Sequence, residues 1–345
     1  LDNGNFVEGT GNVFGGGLGT TATVTGNPQV TIGDTDGNHT VTVRGSVYGG
    51  GDAGDVEGNT HVLVQNTHTT IAKNVFGAGK GSDDTFTCEK AMVGKEESNN
   101  ACVEPGDGAY KDKGTKVTIL NGTIGTLNNG NLVAGTGNVY GGGEIGRVEW
   151  NTQVKIGVGD EEGTYAPVIE GCVFGAGKGL ETHGYSALVR GNSTVTIGGD
   201  AKIGKNVYGG GEIATVGRYW VKGITTNADL CEDEEKVPDE PAGLPTGMPY
   251  LMRRGGICEV TIKGNADIGY HGVANDAGHV FGAGKGVNPH YVEGQSKKKT
   301  INGWEVFASN AAYLEFLETL ALVSRSTVKI KDCNIKGNVY GGSES

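Results

Sequence analysis

No run of about 18 apolar residues occurs anywhere in the 345-residue chain, so no segment is suited to cross a membrane as a helix. Positive charge is in short supply. Twenty-eight lysines and arginines stand against 40 aspartates and glutamates, a formal net charge of −12. That balance argues against nucleic-acid or anionic-membrane binding by bulk electrostatics. Proline is scarce at 8 residues, and the 6 cysteines are compatible with an oxidising compartment without establishing one. No export signal opens the chain. Leu1 falls inside a pattern, so such a signal is expected to have been removed or to lie outside this sequence. Glycine, by contrast, is abundant at 65 of 345 residues, where an ordinary chain carries about 7%. The absence of a Gly-X-Y period excludes collagen. Short alternating bursts of valine and isoleucine argue against a disordered glycine-rich linker. What remains is a chain with many tight corners.

The corners repeat. A Val-aromatic-Gly step occurs at Val13-Phe14, Val47-Tyr48, Val75-Phe76, Val139-Tyr140, Val173-Phe174, Val207-Tyr208, Val280-Phe281 and Val339-Tyr340, at spacings of 34, 28, 64, 34, 34, 73 and 59 residues. The long spacings read as a unit of ~30 residues carrying an insertion. Segments 1–17 and 127–143 differ at only four of 17 positions. After each corner comes an x-V-x-I strand: 29–32, 61–64, 116–119, 153–156, 194–197, 259–262 and 327–330. A shorter x-I piece then leads into the next corner, as at 201–210; the first unit places a second strand, 40–43, there. Period-two alternation puts valine and isoleucine on one face. Strands this short, returning every ~30 residues between glycine corners, predict an all-β, single-domain parallel β-helix (β-solenoid) of about seven coils over 1–345, right-handed by preference.

Five residues after each corner valine stand Asp52, Lys80, Glu144, Lys178, Glu212, Lys285 and Glu344; only Leu18, at the first corner, is outside the series. The sign alternates without exception, and Phe alternates with Tyr in step. If corners stack one coil apart, each charge lies about 4.8 Å from opposite charges above and below. The column is then a structural ladder, each exposed rung contributing ~0.2–1 kcal/mol, with its larger role in register. Asparagine precedes the valine at Asn12, Asn74, Asn138, Asn206 and Asn338, and stacked asparagines can hydrogen-bond along such an axis. Ser46, Cys172 and His279 take that place in the other units.

Three insertions, 82–115, 218–257 and 287–325, leave after a corner and return before an x-V-x-I strand, which predicts one decorated face. A shorter excursion, 180–187, starts at the same place, whereas extensions 127–137 and 270–278 precede a corner. The third insertion carries a predicted helix over 309–324, with Tyr313, Leu314, Leu317, Leu320 and Ala321 on one face and Ser309 or Asn310 as cap. The second is acidic and proline-rich, an expected irregular loop. Cys88 with Cys102, and Cys231 with Cys258, are the candidate disulfides of an exported chain. Cys172 and Cys333 are expected as buried free thiols, being coils too far apart to bond.

Sites are harder to find. "VFGAGKG" lacks both the spacing of a phosphate loop and the hydroxyl that follows its lysine. "GGGDAGDVEGN" lacks the nonapeptide period of calcium-binding repeats, so Asp52 and Asp55 read as corner residues. The seven histidines show no paired ligand spacing, and neither metal nor cofactor is expected. The outward threonine columns are broken by Lys116, Lys155, Glu259 and Lys329, which excludes a flat ice-binding array. No catalytic residue stands out on the regular strands; catalysis in the insertions would fall to Glu232, Asp233, Arg253 or Arg254, and nothing selects these over ordinary loop charges. The aromatic column has two readings: packing between coils, or an exposed ladder for sugar rings. The second makes Tyr48, Tyr140 and Tyr208 ligand-binding candidates, with Tyr219, Trp220 and Trp304 from the excursions.

The recurrent "NVYGGGE…GNTxVxI…VFGAGKG" grammar, over 1–80, 116–217, 258–286 and 326–345, resembles the glycine-rich repeat regions of very large cell-surface or secreted proteins of gut Bacteroidetes. The resemblance implies a β-helical, extracellular, adhesin-like module and carries no catalytic residues. The expected function is therefore structural and adhesive, with a glycan or a host or bacterial surface protein as partner, and the chain reads as an excerpt of a longer array. The alternatives are a polysaccharide-degrading β-helix enzyme (glycoside hydrolase or lyase) and a segment that self-associates end to end into a filament.

Overall fold

Each corner valine is followed by an aromatic pointing the opposite way, and that single alternation divides the interior in two. The computed structural model describes residues 10–35, 37–82, 91–95, 112–160, 163–180, 186–222, 250–272, 277–287, 299–301, 304–306 and 321–344, with only the backbone described at 218–222, 250–254, 299–301 and 304–306. Three parallel sheets run along the molecule. The corner strands form an eight-stranded sheet from Val13–Phe14 to Val339–Tyr340, in chain order. The long x-V-x-I strands, Gln29–Ile32 to Arg325–Lys331, form a seven-stranded sheet, and the short strands, Val41–Val43 to Asn334–Ile335, another. Every strand pairs in register with its equivalent in the next coil: Val47 with Val75, Val154 with Val195, Ile169 with Ile203. This is the architecture of a parallel β-solenoid.

Valines and isoleucines from all three sheets meet in one continuous core, from Val30 and Val43 to Ile268 and Val280. Along Asn151–Ile156 the inward residues Thr152, Val154 and Ile156 are buried while Asn151, Gln153 and Lys155 face out, as the period of two requires. The aromatics fill a second column on the other side of the corner strand. Beyond the glycines the chain passes the charged position and then a valine before starting the next long strand. Those valines, Val24, Val56, Val93, Val148, Val189 and Val216, also stack, and together with Ala78, Ala176 and Cys258 they line a third apolar column.

Close approach at the corner explains the glycine. A Cβ on Gly141 would lie 2.0 Å from the carbonyl oxygen of Gly175, and one on Gly77 would lie 2.1 Å from that of Gly141. Hydroxyls stitch the same carbonyls across the coil: Thr115 donates to Gly141 (2.5 Å), Thr152 to Gly175 (2.6 Å) and Ser193 to Gly209 (2.7 Å).

The asparagine column bonds along the axis. Asn138 Oδ1 accepts the Cys172 N–H at 2.8 Å, and Asn74 Oδ1 accepts that of Asn138 at 2.9 Å. The substitutes keep the function: Ser46 Oγ accepts from Asn74 N–H, and His279 Nδ1 from Asn338 N–H. A second amide ladder opens the long strands, Asn27 to Asn59 N–H and Asn59 to Gly114 N–H, then Asn151 to Asn192 N–H and Asn192 to Ile257 N–H.

Several expectations need correction. The insertion 82–115 is not one excursion, because residues 91–95 return to the solenoid and Val93 pairs with Val56 and Val148. The second insertion is not wholly irregular: Arg218–Lys222 and Tyr250–Arg254 pair antiparallel at its base. The third contains an antiparallel pair, Lys299–Ile301 with Trp304–Val306. No helix is seen among the described residues; of the segment predicted as helix, 309–320 lies outside them and 321–324 is turn and irregular chain. Cys258 is a free thiol, so the Cys231–Cys258 bridge is not formed. It shares strand parity with Val260 and Ile262 and is buried in the third column, where burial pushes its pKa up. Cys88 and Cys102 lie outside the described residues. Cys172 and Cys333 are free, as expected, but half-buried rather than fully buried; burial raises the Cys172 thiol to about 11.

Gly141→Ala is expected to destabilise the protein by about 1–3 kcal/mol or more through overpacking against the next coil. An unchanged urea midpoint would show that the corner has room to relax.

Candidate functional site

The aromatic column settles which of its two readings holds. Phe14, Tyr48, Phe76, Tyr140, Phe174, Tyr208, Phe281 and Tyr340 stack with centroids 4.6–5.0 Å apart and planes within 13° of parallel. Tyr48, Tyr140 and Tyr208 are 3%, 0% and 1% exposed. Their ring faces are covered by phenylalanines, so they are packing residues and not a surface for sugars. The other three candidates, Tyr219, Trp220 and Trp304, lie in the antiparallel pairs of the excursions, outside the residues whose side chains are described.

The charged column is built as its spacing predicted. Asp52 bridges parallel to Lys80, and Glu144, Lys178, Glu212, Lys285 and Glu344 bridge parallel in turn; between the two runs Lys80 pairs antiparallel with Ile145, and Leu18 occupies the same column without a charge. The ion pairs are one-sided: Lys178 Nζ lies 3.1 Å from Glu144 Oε1 and Lys285 Nζ 3.4 Å from Glu212 Oε1. The other carboxylate oxygen serves a different partner. Tyr48 donates its phenol to Glu144 Oε2 at 2.5 Å, Tyr140 to Glu212 Oε2 at 2.5 Å, and Tyr208 to Glu344 Oε2. Each phenol therefore reaches the acid two corners on, passing the intervening phenylalanine. This bond is why tyrosine travels with the acids and phenylalanine with the lysines. Burial first, and then the carboxylates, hold the phenols of Tyr48 and Tyr140 well above the usual pKa.

Backbone shape alternates in the same rhythm. After the acids the chain turns at once through a left-handed residue, Ala53, Ile145 or Ile213 (φ 59°, 65° and 53°). After the lysines the described chain resumes through another left-handed residue, Ala91, Ala187 or Ala321 (φ 54°, 55° and 57°). The antiparallel pair Arg218–Lys222 with Tyr250–Arg254 stands one step later, after Val216.

Three further clusters carry chemistry. Arg147 and Arg190, both buried, converge on buried Glu149, with Arg190 Nη1 3.6 Å from Glu149 Oε2. Such a buried trio is costly to break and fixes geometry more than it adds stability. Elsewhere, Glu170 Oε2 accepts the Tyr270 phenol and meets His271 Nε2, both at 2.6 Å. Glu170 is buried and the imidazole 41% exposed, and the pair of contacts clasps the 269–272 turn onto the short-strand sheet. The third is an open groove of about 540 Å³ on the outer face of the long-strand sheet, lined across four coils by Gln29, His61, Lys116, Gln153 and Lys155, with Asp160 beside it. None of these was read from the sequence, because their members lie up to 131 residues apart (Gln29 to Asp160) and only stacking gathers them.

Among the described residues no three His, Cys, Asp or Glu side chains gather to hold a metal, and no helix is long and apolar enough to cross a membrane. Neither a family model, nor a curated protein, nor a solved structure matches this chain.

The phenol–carboxylate bond is expected to outweigh the lysine pair. Tyr140→Phe should cost about 1.5–3 kcal/mol, the range for hydrogen bonds to charged groups, whereas Lys178→Met, at a third-exposed ammonium, should cost less than about 1 kcal/mol. Because the folded phenols titrate above the unfolded value of about 10, their contribution is whole below pH 10 and is lost as pH rises further. Urea midpoints between pH 7 and 11 check both points. Equal losses for the two variants, or a flat alkaline limb in the wild type, would contradict this account.

Proposed function

We propose that the chain is a non-enzymatic, extracellular, adhesin-like surface module. In this reading it is a right-handed solenoid of about seven coils that presents the insertions 82–115, 218–257 and 287–325 on one face to a glycan or protein partner. The observation that carries it is where the repeat's chemically able side chains are used. Tyrosines, carboxylates, lysines and asparagines of the repeating positions are spent on bonds along the axis, so the repeat encodes length and stiffness. Recognition is left to the outer sheet face and to the excursions, whose anchor points all fall on the same stretch of each coil.

Incubation with glycan arrays, followed by an assay for new reducing ends and unsaturated sugars, tests it. Retention of a glycan without turnover is expected. Turnover without retention would instead establish the enzymatic alternative, a glycoside hydrolase or lyase.

A further inference from the structure

The groove on the long-strand sheet is a concave surface whose lining the axial ladders leave partly uncommitted. Its floor is made by the outward positions of successive long strands, Gln29, His61, Lys116 and Gln153, which pair in register in neighbouring coils. These side chains therefore form a row with one member every ~4.8 Å along the axis. Lys155 lies two residues beyond Gln153 on the same outward face. Across this row Asp160 is held by both cations, Lys155 Nζ at 2.8 Å and Lys116 Nζ at 3.1 Å. The two lysine side chains are 21% and 29% exposed, while that of the aspartate is 71% exposed. The pair lowers the Asp160 carboxyl to about 2. The cations are thus seated in the sheet and the anion sits over them on a loop, facing water. His61, whose pKa is lowered by burial and by Lys116, borders them, with Nε2 3.2 Å from Thr118 Oγ1.

We propose that this groove binds a short acidic oligosaccharide laid along the solenoid axis, with one uronate carboxylate taking the place of Asp160 between Lys116 and Lys155. The inference rests on the reading of the chain as a glycan-binding module and names the site and the class of sugar. Gln29 and Gln153 each present both a donor and an acceptor, which suits sugar hydroxyls. The surface is a sheet face rather than an edge, so it offers a peptide no backbone pairing, and the row has no apolar pocket for peptide side chains. The formal charge of −12 repels a polyanion at long range, so a short chain engaged by close pairing fits better than a long one. Asp160 acts as a built-in competitor.

The test is calorimetry with a hexamer of galacturonic acid, against a neutral cellohexaose and a hexamer of glutamate, on the whole chain. Asp160→Ala is expected to tighten binding of the uronate hexamer about tenfold. Lys116→Ala with Lys155→Ala is expected to weaken it at least tenfold, and binding should weaken with added salt. Thermal melts confirm that these surface variants fold. Equal binding of the neutral hexamer, indifference to the lysine variant, or no binding by either wild type or Asp160→Ala at millimolar sugar overturns the proposal. Tighter binding of the glutamate hexamer also overturns it, and identifies an acidic peptide instead. If array binding persists while the groove variants are indifferent, the groove fails and the module reading stands; turnover of sugar would remove the reading itself.

Discussion

Parallel in-register stacking makes every residue its own neighbour. A side chain in one coil meets, one rise away, the residue at the same position in the next coil, so each position must be compatible with itself. Valine on valine, ring on ring and amide on backbone N–H satisfy that condition directly. Charge does not, and a column of one sign would repel along its length. The chain resolves this by alternating two kinds of coil. The phenols then extend the alternation, each donating to an acid two corners away, in a coil of its own kind.

The same constraint divides the coil into parts that can vary and parts that cannot. At the corner, backbone approaches backbone so closely that Gly141 and Gly175 leave no space for a side chain. Between the charged column and the long strand the chain is free to leave and return. Val93 and Val189 stand in the valine column although the sequence on either side of them departs from the repeat. Stiffness and variation are thus built from adjacent stretches of one turn.

Much of this was legible because stacking turns sequence spacing into spatial proximity. The x-V-x-I strands, the aromatic packing column and the charged succession from Asp52 to Glu344 follow from a spacing of five and a period of two. What escaped needs reach rather than spacing. A phenol that bypasses its immediate neighbour leaves no mark beyond the coincidence of tyrosine with acid. Asp160 meets Lys116 from 44 residues away because a loop folds back over the sheet. The Cys258 error had a remedy in the sequence itself: Cys258, Val260 and Ile262 share parity, which places the thiol inside, whereas bracketing an acidic loop says nothing about direction. Val93 was hidden because a single valine between two long excursions resembles loop.

The tyrosine-to-acid reach across two corners has a bearing on how such an array can change in length. Removing or duplicating a single coil would set two coils of one kind side by side, turning the phenol that spans the junction onto an ammonium group and leaving one carboxylate there without its donor. Loss or gain of two coils preserves both. A pair of turns is consequently the smallest length that can be added or taken away with every such bond kept.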